Sequence, residues 1–229
     1  TTSFLINNTA PNASDSIETI IRTTMEKAFP DNPMEILSTQ KVGPTIADDI
    51  KISGLWSIIF SMVVIFLYIF IRFRKWQYAV AATLTPLHDV LVILAVFSIF
   101  QDILPFSLEI DQAFIAALLT IIGYSINDTV VVFDRIREKL SLIKNRPYFA
   151  TVNMALNETL SRTLITSLTT LFVVFILFVF GGEVIRGFSF SLLLGIIVGT
   201  YSSIFVSTPI LVEFSKKDEK KIRDKNKES

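Results

Sequence analysis

Long apolar stretches dominate the sequence and determine the architecture it predicts. Five segments are nearly free of charge, and each reaches the length of about 20 residues that a helix needs to cross a bilayer. They lie at 52–72, 78–100, 112–134, 160–180 and 188–214. Backbone polar groups in lipid must be satisfied internally, so these spans are expected to be helices. The pattern predicts an all-α polytopic membrane protein whose transmembrane bundle covers residues 51–214.

Basic residues are concentrated on one side of the predicted bundle. They follow the first span at 72–75, the third span at 135–146 and the fifth span in the charged tail 215–229. The other two loops together contain one Arg and no Lys. The positive-inside rule therefore predicts that the basic loops and the C-terminus face the cytoplasm and that residues 1–50 lie outside.

The first 50 residues are polar and mixed. Residues 2–7 and 35–42 are typical of short strands, and residues 14–28 place apolar side chains near helical spacing. This order predicts part of a small extracytoplasmic α+β domain, and 50 residues bury little core. We therefore expect the rest of that domain, and a further spanning helix, to precede Thr1.

Composition narrows the class of protein further. Charged residues make up 18% of the chain, against roughly a quarter in soluble domains, the net charge is +0 and there is no Cys. These values exclude a soluble enzyme, a disordered chain and a nucleic-acid-binding domain. The lack of Cys also excludes disulfides and thiolate metal sites. We expect no enzymatic chemistry, no metal and no bound cofactor.

Ionisable residues inside the spans are the candidates for function, because a charge at bilayer depth is costly. Asp128 is the only acid in the interior of the third span, and Arg162 is the only base in the fourth. At a rise of about 1.5 Å per residue, both reach one layer in the cytoplasmic half of the bundle, near His88 and Asp89 of the second span.

The neighbours of Asp128 and Arg162 are also polar, which predicts a continuous polar face on each helix rather than isolated charges. Tyr124, Asn127 and Asp128 lie at i, i+3 and i+4 on one helix face. The fourth span has a similar stripe, made of Arg162, Thr163, Thr166, Thr169 and Thr170. Such stripes are expected to face the interior of a bundle or a wet cavity.

Spacing alone leaves two interpretations of Asp128 and Arg162 open. In a proton relay, Asp128 loads a proton when helix movement separates it from Arg162 and releases the proton when the two reunite. In a static pair, the two residues only hold their helices together. His88 and Asp89 are either support for a relay or a structural histidine with the carboxylate that orients it.

Small residues on the fifth span predict close helix packing. Gly195, Gly199 and Ser203 recur every four residues, the small-xxx-small pattern that lets two helix backbones approach each other.

The most specific motif in the sequence is GYSINDTVVVFDRIREKL at Gly123–Leu140. It resembles the signature of the SecF family of protein-export subunits. Further similar motifs, in the family's order, are KVGPTIADDI at Lys41–Ile50, LHDV at Leu87–Val90, LSRTLITSLTTL at Leu160–Leu171, FGG at Phe180–Gly182 and GTYSSIF at Gly199–Phe205.

The resemblance implies a fold, partners and a function. The five spans would be helices two to six of a six-helix half related to the resistance-nodulation-division (RND) exporters. The partners would be SecD, separate or fused upstream, the SecYEG channel, YidC, preproteins and membrane lipid, with no nucleic acid. Proton motive force in the inner membrane would drive completion of preprotein translocation, with protons as the coupling ion. The resemblance implies that Asp128 and Arg162 carry the proton relay. From their position and helical spacing, the candidates to support it are Asn127, Tyr124, His88, Asp89 and Thr166.

Three alternatives belong to other functional classes. A small-molecule exporter half of the RND type would need large outer domains with a substrate pocket. An intramembrane aspartyl protease would use Asp128 and Asp134, but these face about 240° apart on one helix, and the GxGD motif is missing. A non-conducting structural membrane subunit shares every feature of the relay, so only measurement separates the two.

Overall fold

The computed structural model describes residues 22–27, 30, 44–101, 103–104, 106, 108–143 and 146–216 of the 229-residue chain. The chain divides into two compact units, one up to Ile52 and one from Ser53. In the first unit residues 22–27 are helical, inside the predicted helix 14–28. The predicted strands at 2–7 and 35–42, and tail residues 217–229, lie outside the described residues.

Among the residues that the structure describes, five helices are long and apolar enough to cross a membrane, as the hydropathy pattern predicts. They are α1 (Pro44–Phe73), α2 (Trp76–Phe100), α3 (Gln112–Leu142), α4 (Tyr148–Phe180) and α5 (Arg186–Phe205). Helical residues 207–216 follow α5 after a break at Val206. Pro209 explains the break, because it has no N–H for the carbonyl of Phe205, four residues earlier, and its ring crowds that carbonyl. The all-α polytopic fold is therefore confirmed.

Helices α3 and α4 are longer than the apolar spans that identified them. Helix α3 continues to Leu142, and α4 begins at Tyr148, well before the predicted start at 160. The additional turns are charged and lie side by side. Lys139 Nζ of α3 lies 2.7 Å from Glu158 Oε1 of α4, and Arg135 pairs with the same carboxylate. Hydropathy misses these turns because charged residues lower their mean hydropathy, although Ile136, Val152 and Ala155 are buried there in a hydrophobic cluster.

Helix α3 lies at the centre of the bundle. It packs against α2, α4 and α5, and its contact with α5 is the most extensive of all. In the most apolar window of α2 and of α3, 44% of the residues are buried, against 17% in α1 and in α4. The faces that α1 and α4 leave exposed are consequently the ones available to lipid or to a partner.

Two hydrophobic clusters fill the bundle, with polar residues between them. One cluster lies near the α1–α2 turn and includes Phe73, Tyr78 and Phe133. The other lies near the α2–α3 loop and includes Phe97 and Phe114. Between the clusters, at the level where α2 to α5 meet, are buried polar residues that we call the polar layer: Thr85, Asp89, Ser125, Asp128, Thr129, Thr163, Ser167 and Ser203. A buried polar layer inside an apolar bundle marks the candidate site.

Candidate functional site

Asp128 lies in the polar layer on the inward face of α3. It is buried, with an exposed fraction of 5%. Ser167 of α4 donates a hydrogen bond from Oγ to Asp128 Oδ2 at 3.4 Å. Ser167 Oγ also lies 2.7 Å from Thr200 Oγ1 on α5 and 3.4 Å from the Tyr124 hydroxyl. The carboxylate of α3 thus bonds to a hydroxyl of α4, which in turn bonds to a hydroxyl of α5, and the carboxylate is shielded from lipid.

Arg162 lies beside this site on a different side of α4. Thr159, Thr163 and Ser167, spaced by four residues, form the buried face of α4, and the residue before Thr163 is turned about 100° away. Arg162 is therefore exposed. It interacts electrostatically with Asp128, but no direct ion pair joins these two described side chains. The predicted neighbourhood of acid and base is present without contact between them.

The predicted polar stripes do not face the bundle interior as a whole. Thr163 is buried and Tyr124 is half-buried, but Arg162, Thr166 and Asn127 are exposed in this chain. Thr169 is exposed as well, and only part of each stripe faces the interior, because only one side of each helix packs against a neighbour. Arg162 instead lines an open groove. The hydroxyl of Thr166 bonds to the carbonyls of Arg162 and Thr163 of its own helix, at 3.0 Å each. Asn127, Arg162 and Thr166 thus form a polar strip on the outer surface of α3 and α4, within the membrane-spanning part of these helices.

A groove of about 540 Å³ opens beside this strip, where α1, α3 and α4 end. Its charged lining residues are Arg72, Asp134, Arg135, Arg137, Glu138, Glu158 and Arg162. Asp134 pairs with Arg72 of α1 at 2.9 Å and with Arg137 of its own helix at 3.0 Å. Among the described side chains lining the groove, Arg162 is the cation without a carboxylate in ion-pair contact.

A second carboxylate of the polar layer lies on α2. Asp89 is fully buried, and Ser125 of α3 donates a hydrogen bond to its Oδ2 at 2.7 Å. His88 Nδ1 lies 3.1 Å from the other carboxylate oxygen, Oδ1. The His88 side chain is 40% exposed, so the pair extends from the core towards the bundle surface.

Close packing joins α5 to α3 at the predicted small residues. A Cβ added at Gly195 would overlap the side chain of Ile121 on α3. A Cβ added at Gly199 would lie 3.3 Å from that of Ser125. Ser203 is buried and bonds through its hydroxyl to the carbonyl of Thr200 in its own helix. The two glycines therefore let α5 approach the part of α3 that carries the polar layer.

Sequence reasoning missed three residues of the site. Ser125, Ser167 and Thr200 supply the hydroxyl groups that connect α2, α3, α4 and α5. All three stand in segments that resemble family motifs, but each segment contains other polar residues as well. Small hydroxyl residues are common in membrane helices and often bond to their own backbone, so their presence alone does not single them out.

Comparisons with known proteins agree with the resemblance read from the motifs. The family model described as "Protein export membrane protein SecD/SecF, C-terminal" matches residues 21–217. The protein translocase subunit SecF of Rhodothermus marinus is 52% identical over 210 residues, which cover 92% of this chain and 68% of that protein. The protein translocase subunit SecDF of Brucella abortus is 45% identical over 176 residues, covering 77% of this chain and 22% of that protein.

Solved structures give the same result. A crystal structure of SecDF in a super-membrane-facing form matches 90% of this chain with a TM-score of 0.73 and 36% identity. This chain corresponds to 27% of that protein, and to 53–68% of the first SecF relatives. With five helices able to span a bilayer, it is a multi-pass membrane protein, and it belongs to the SecD/SecF family of protein export membrane proteins.

Proposed function

We propose that this chain is part of a subunit that uses proton motive force to help the Sec machinery complete preprotein translocation. Its family membership supports the export role, since its relatives are named protein translocase subunits SecF and SecDF. The single observation that carries the proton coupling is the burial of Asp128 among hydroxyl groups between two hydrophobic clusters. An intramembrane carboxylate in such a place is expensive to retain without a function.

In this proposal Asp128 is the group that takes up and releases the proton. The hydroxyl of Ser167 can donate to the ionised carboxylate, as it does here, and can accept from the protonated one after rotation. Both protonation states therefore keep a hydrogen-bond partner inside the bundle. No covalent chemistry and no cofactor is needed, and the proton itself is the coupling ion.

Arg162 has two features that suit a relay. Its exposed side chain lines the groove that is open at the charged end of the bundle, so water reaches the neighbourhood of Asp128 from that end. It also acts on Asp128 electrostatically without contact, so helix movement changes their interaction without breaking a direct bond. A direct ion pair between the two side chains would have to break before they could separate, at a cost of several kcal/mol.

The exposed polar strip on α3 and α4 indicates where a partner binds. Asn127, Arg162 and Thr166 are unsuited to contact with lipid tails. We place the SecD half, as a separate protein or as part of the same longer chain, against this surface. SecYEG, YidC and the preprotein are the remaining proposed partners, and they would act through parts of the subunit outside the bundle.

The location proposed is the inner membrane, with the groove facing the cytoplasm. The basic residues 72–75 and 135–146 lie at the α1–α2 and α3–α4 connections, at the groove end of the bundle. The positive-inside rule assigns this end to the cytoplasm and residues 1–50 to the outer side.

The test is export-coupled proton flux in vesicles that contain the full complex. We expect Asp128→Asn to lower flux and preprotein release on the order of a hundredfold, because the amide cannot carry a proton. Asp128→Glu restores a carboxylate and should retain part of the activity. The matched control is Asp134→Asn, six residues along the same helix, which removes a carboxylate of the groove rim and should leave flux within about twofold.

The same variants separate the relay from a structural subunit. Equal insertion and equal assembly with partners must be shown for each, by protease protection and co-purification. If Asp128→Asn supports wild-type flux, the proton relay is rejected and a non-conducting structural role replaces it. A role in small-molecule export is favoured instead if release of a dye, but not of preprotein, depends on Asp128.

A further inference from the structure

The polar layer holds a second ionisable pair that the proposed relay leaves without a role. Asp89 of α2 has no exposed surface, yet both of its carboxylate oxygens have polar partners. One partner is His88 of the same helix, and the other is Ser125 of α3. An imidazole can donate a hydrogen bond to a carboxylate as a neutral ring, and it can also carry an additional proton.

The position of His88 suits proton exchange. Its Nδ1 faces the buried Asp89, while 40% of the side chain is exposed, so the ring extends from the core to the bundle surface. A carboxylate bonded to one ring nitrogen fixes the orientation of an imidazole and supports its protonated form. Imidazoles are also the side chains that ordinarily change charge between about pH 5 and pH 8. His88 is the only His in this sequence.

Few other charges act on the pair. Helix α2 contains no further charged residue, α3 contributes only Asp128 within the layer, and α5 contains none after Arg186. An ionised Asp89 beside a neutral His88 therefore carries a net negative charge inside an apolar bundle. Binding one proton neutralises the pair, which is the favourable direction in a medium of low dielectric constant.

Ser125 connects the pair to the relay helix. It donates to Asp89 at 2.7 Å and stands one helical turn before Asp128 on α3. Its backbone carbonyl accepts from Thr129, and its side chain packs against Gly199 of α5. The strength of its bond to Asp89 depends on the charge of the carboxylate, so a change of charge on α2 alters how that turn of α3 is held.

We infer that His88 and Asp89 form a second proton-binding site, and that Ser125 transmits the protonation state of this site to the turn of α3 that carries Asp128. The transmission to Asp128 rests on the proposed function, whereas proton binding by the pair does not. In the relay, His88 takes the proton from water or from the partner-facing surface. The bond from Ser125 then weakens, and Asp128 becomes free to change its position relative to Arg162.

Proton binding is tested directly by NMR on the full-length membrane protein in lipid nanodiscs. Histidine is labelled selectively with ¹⁵N, and the ring signals missing from His88→Asn identify His88. We expect its ring to gain a second proton within about pH 5 to 8 and to show a hydrogen-bonded Nδ1–H, which Asp89→Asn weakens. A ring that keeps one protonation state throughout this range overturns the inference, whatever the behaviour of Asp128.

Transmission is tested by proton flux in the full complex across the same pH range. His88→Asn keeps an amide donor near the position of Nδ1 but cannot carry charge. We expect it to lower flux about tenfold and to remove a step from the pH profile that the wild type shows. The control is Thr83→Val on the same helix, which lies outside the polar layer. Its hydroxyl bonds to the carbonyl of Ala79, and the variant should keep both rate and step.

The outcomes distinguish this inference from the proposed function. If Asp128→Asn is inactive while His88→Asn keeps the wild-type rate and profile, the relay stands and transmission from the second site is rejected. If Asp128→Asn is active and His88→Asn is not, the proposed relay falls and the pair on α2 carries the proton instead.

Discussion

The packing of α5 on α3 permits a quantitative test at Gly195. A Cβ placed there would overlap three side-chain atoms of Ile121, namely Cγ1, Cγ2 and Cδ1. Two of these atoms are bonded to the Cβ of Ile121, so rotation of the tip of the side chain does not relieve the overlap. Ile121 is itself 1% exposed inside the hydrophobic cluster near the α2–α3 loop. Gly195→Ala therefore forces α5 away from α3 or disturbs that cluster.

The expected magnitude follows from a matched glycine. Gly123 lies in the middle of α3, is exposed, and has nothing within 4 Å of an added Cβ. Both substitutions replace Gly by Ala inside a helix, so the gain in helix propensity, about 1 kcal/mol, is common to them. The difference between them is the overpacking term, about 1–3 kcal/mol. We expect the free energy of unfolding of Gly195→Ala to lie below that of Gly123→Ala by this amount, which is roughly 5- to 160-fold in the unfolding equilibrium.

The assay is reversible unfolding of the full-length protein in mixed micelles, followed by circular dichroism. Truncation of the neighbour supplies an internal check, because Ile121→Ala removes all three overlapping atoms. In that background Gly195→Ala should cost little, and the double-mutant cycle should give a coupling within the same range of about 1–3 kcal/mol. Equal stability of Gly195→Ala and Gly123→Ala would refute the close approach of α5 to α3.

Two further expectations concern the site and its orientation. Ser167→Ala removes the donor to Asp128 and should lower the free energy of unfolding by about 0.6–2 kcal/mol. The control Ser141→Ala loses only a bond to the carbonyl of Glu138 and should change the free energy of unfolding much less. Equal effects of the two substitutions would contradict the central place of Ser167. Reversing the charges in the loop 135–146 should change the side from which a single introduced Cys in that loop is labelled, and unchanged labelling would contradict the proposed orientation.

The course of the chain through the membrane could be predicted from sequence. The transfer of a segment into lipid depends on the summed hydropathy of about 20 neighbouring residues, which is a local property. For that reason the five spans were found at nearly their observed positions. The same argument identified Asp128, because a lone carboxylate in an apolar run is visible without knowledge of its neighbours.

The face that each helix turns to its neighbours could not be predicted from the sequence in this way. In a membrane bundle both the lipid-facing and the core-facing sides are apolar, so the pattern that orients a helix in a soluble protein is weak. The inward face of α4 is set by Thr163 and Ser167, and this choice alone turns Arg162 outward. Helical spacing allowed either face, and only packing against α3 and α5 decided between them.

What the sequence by itself determined is therefore the number of spans, the charge of each loop, the family, and the presence of an acid and a base in one layer. What only the tertiary structure decided is which groups meet: Asp128 with Ser167, Asp89 with Ser125, and Glu158 with Arg135. These contacts join residues on different helices, 23 to 39 positions apart. The reason is physical: insertion into a bilayer is settled one helix at a time, whereas hydrogen bonds and ion pairs between helices depend on the rotation and the shift of each helix against the next.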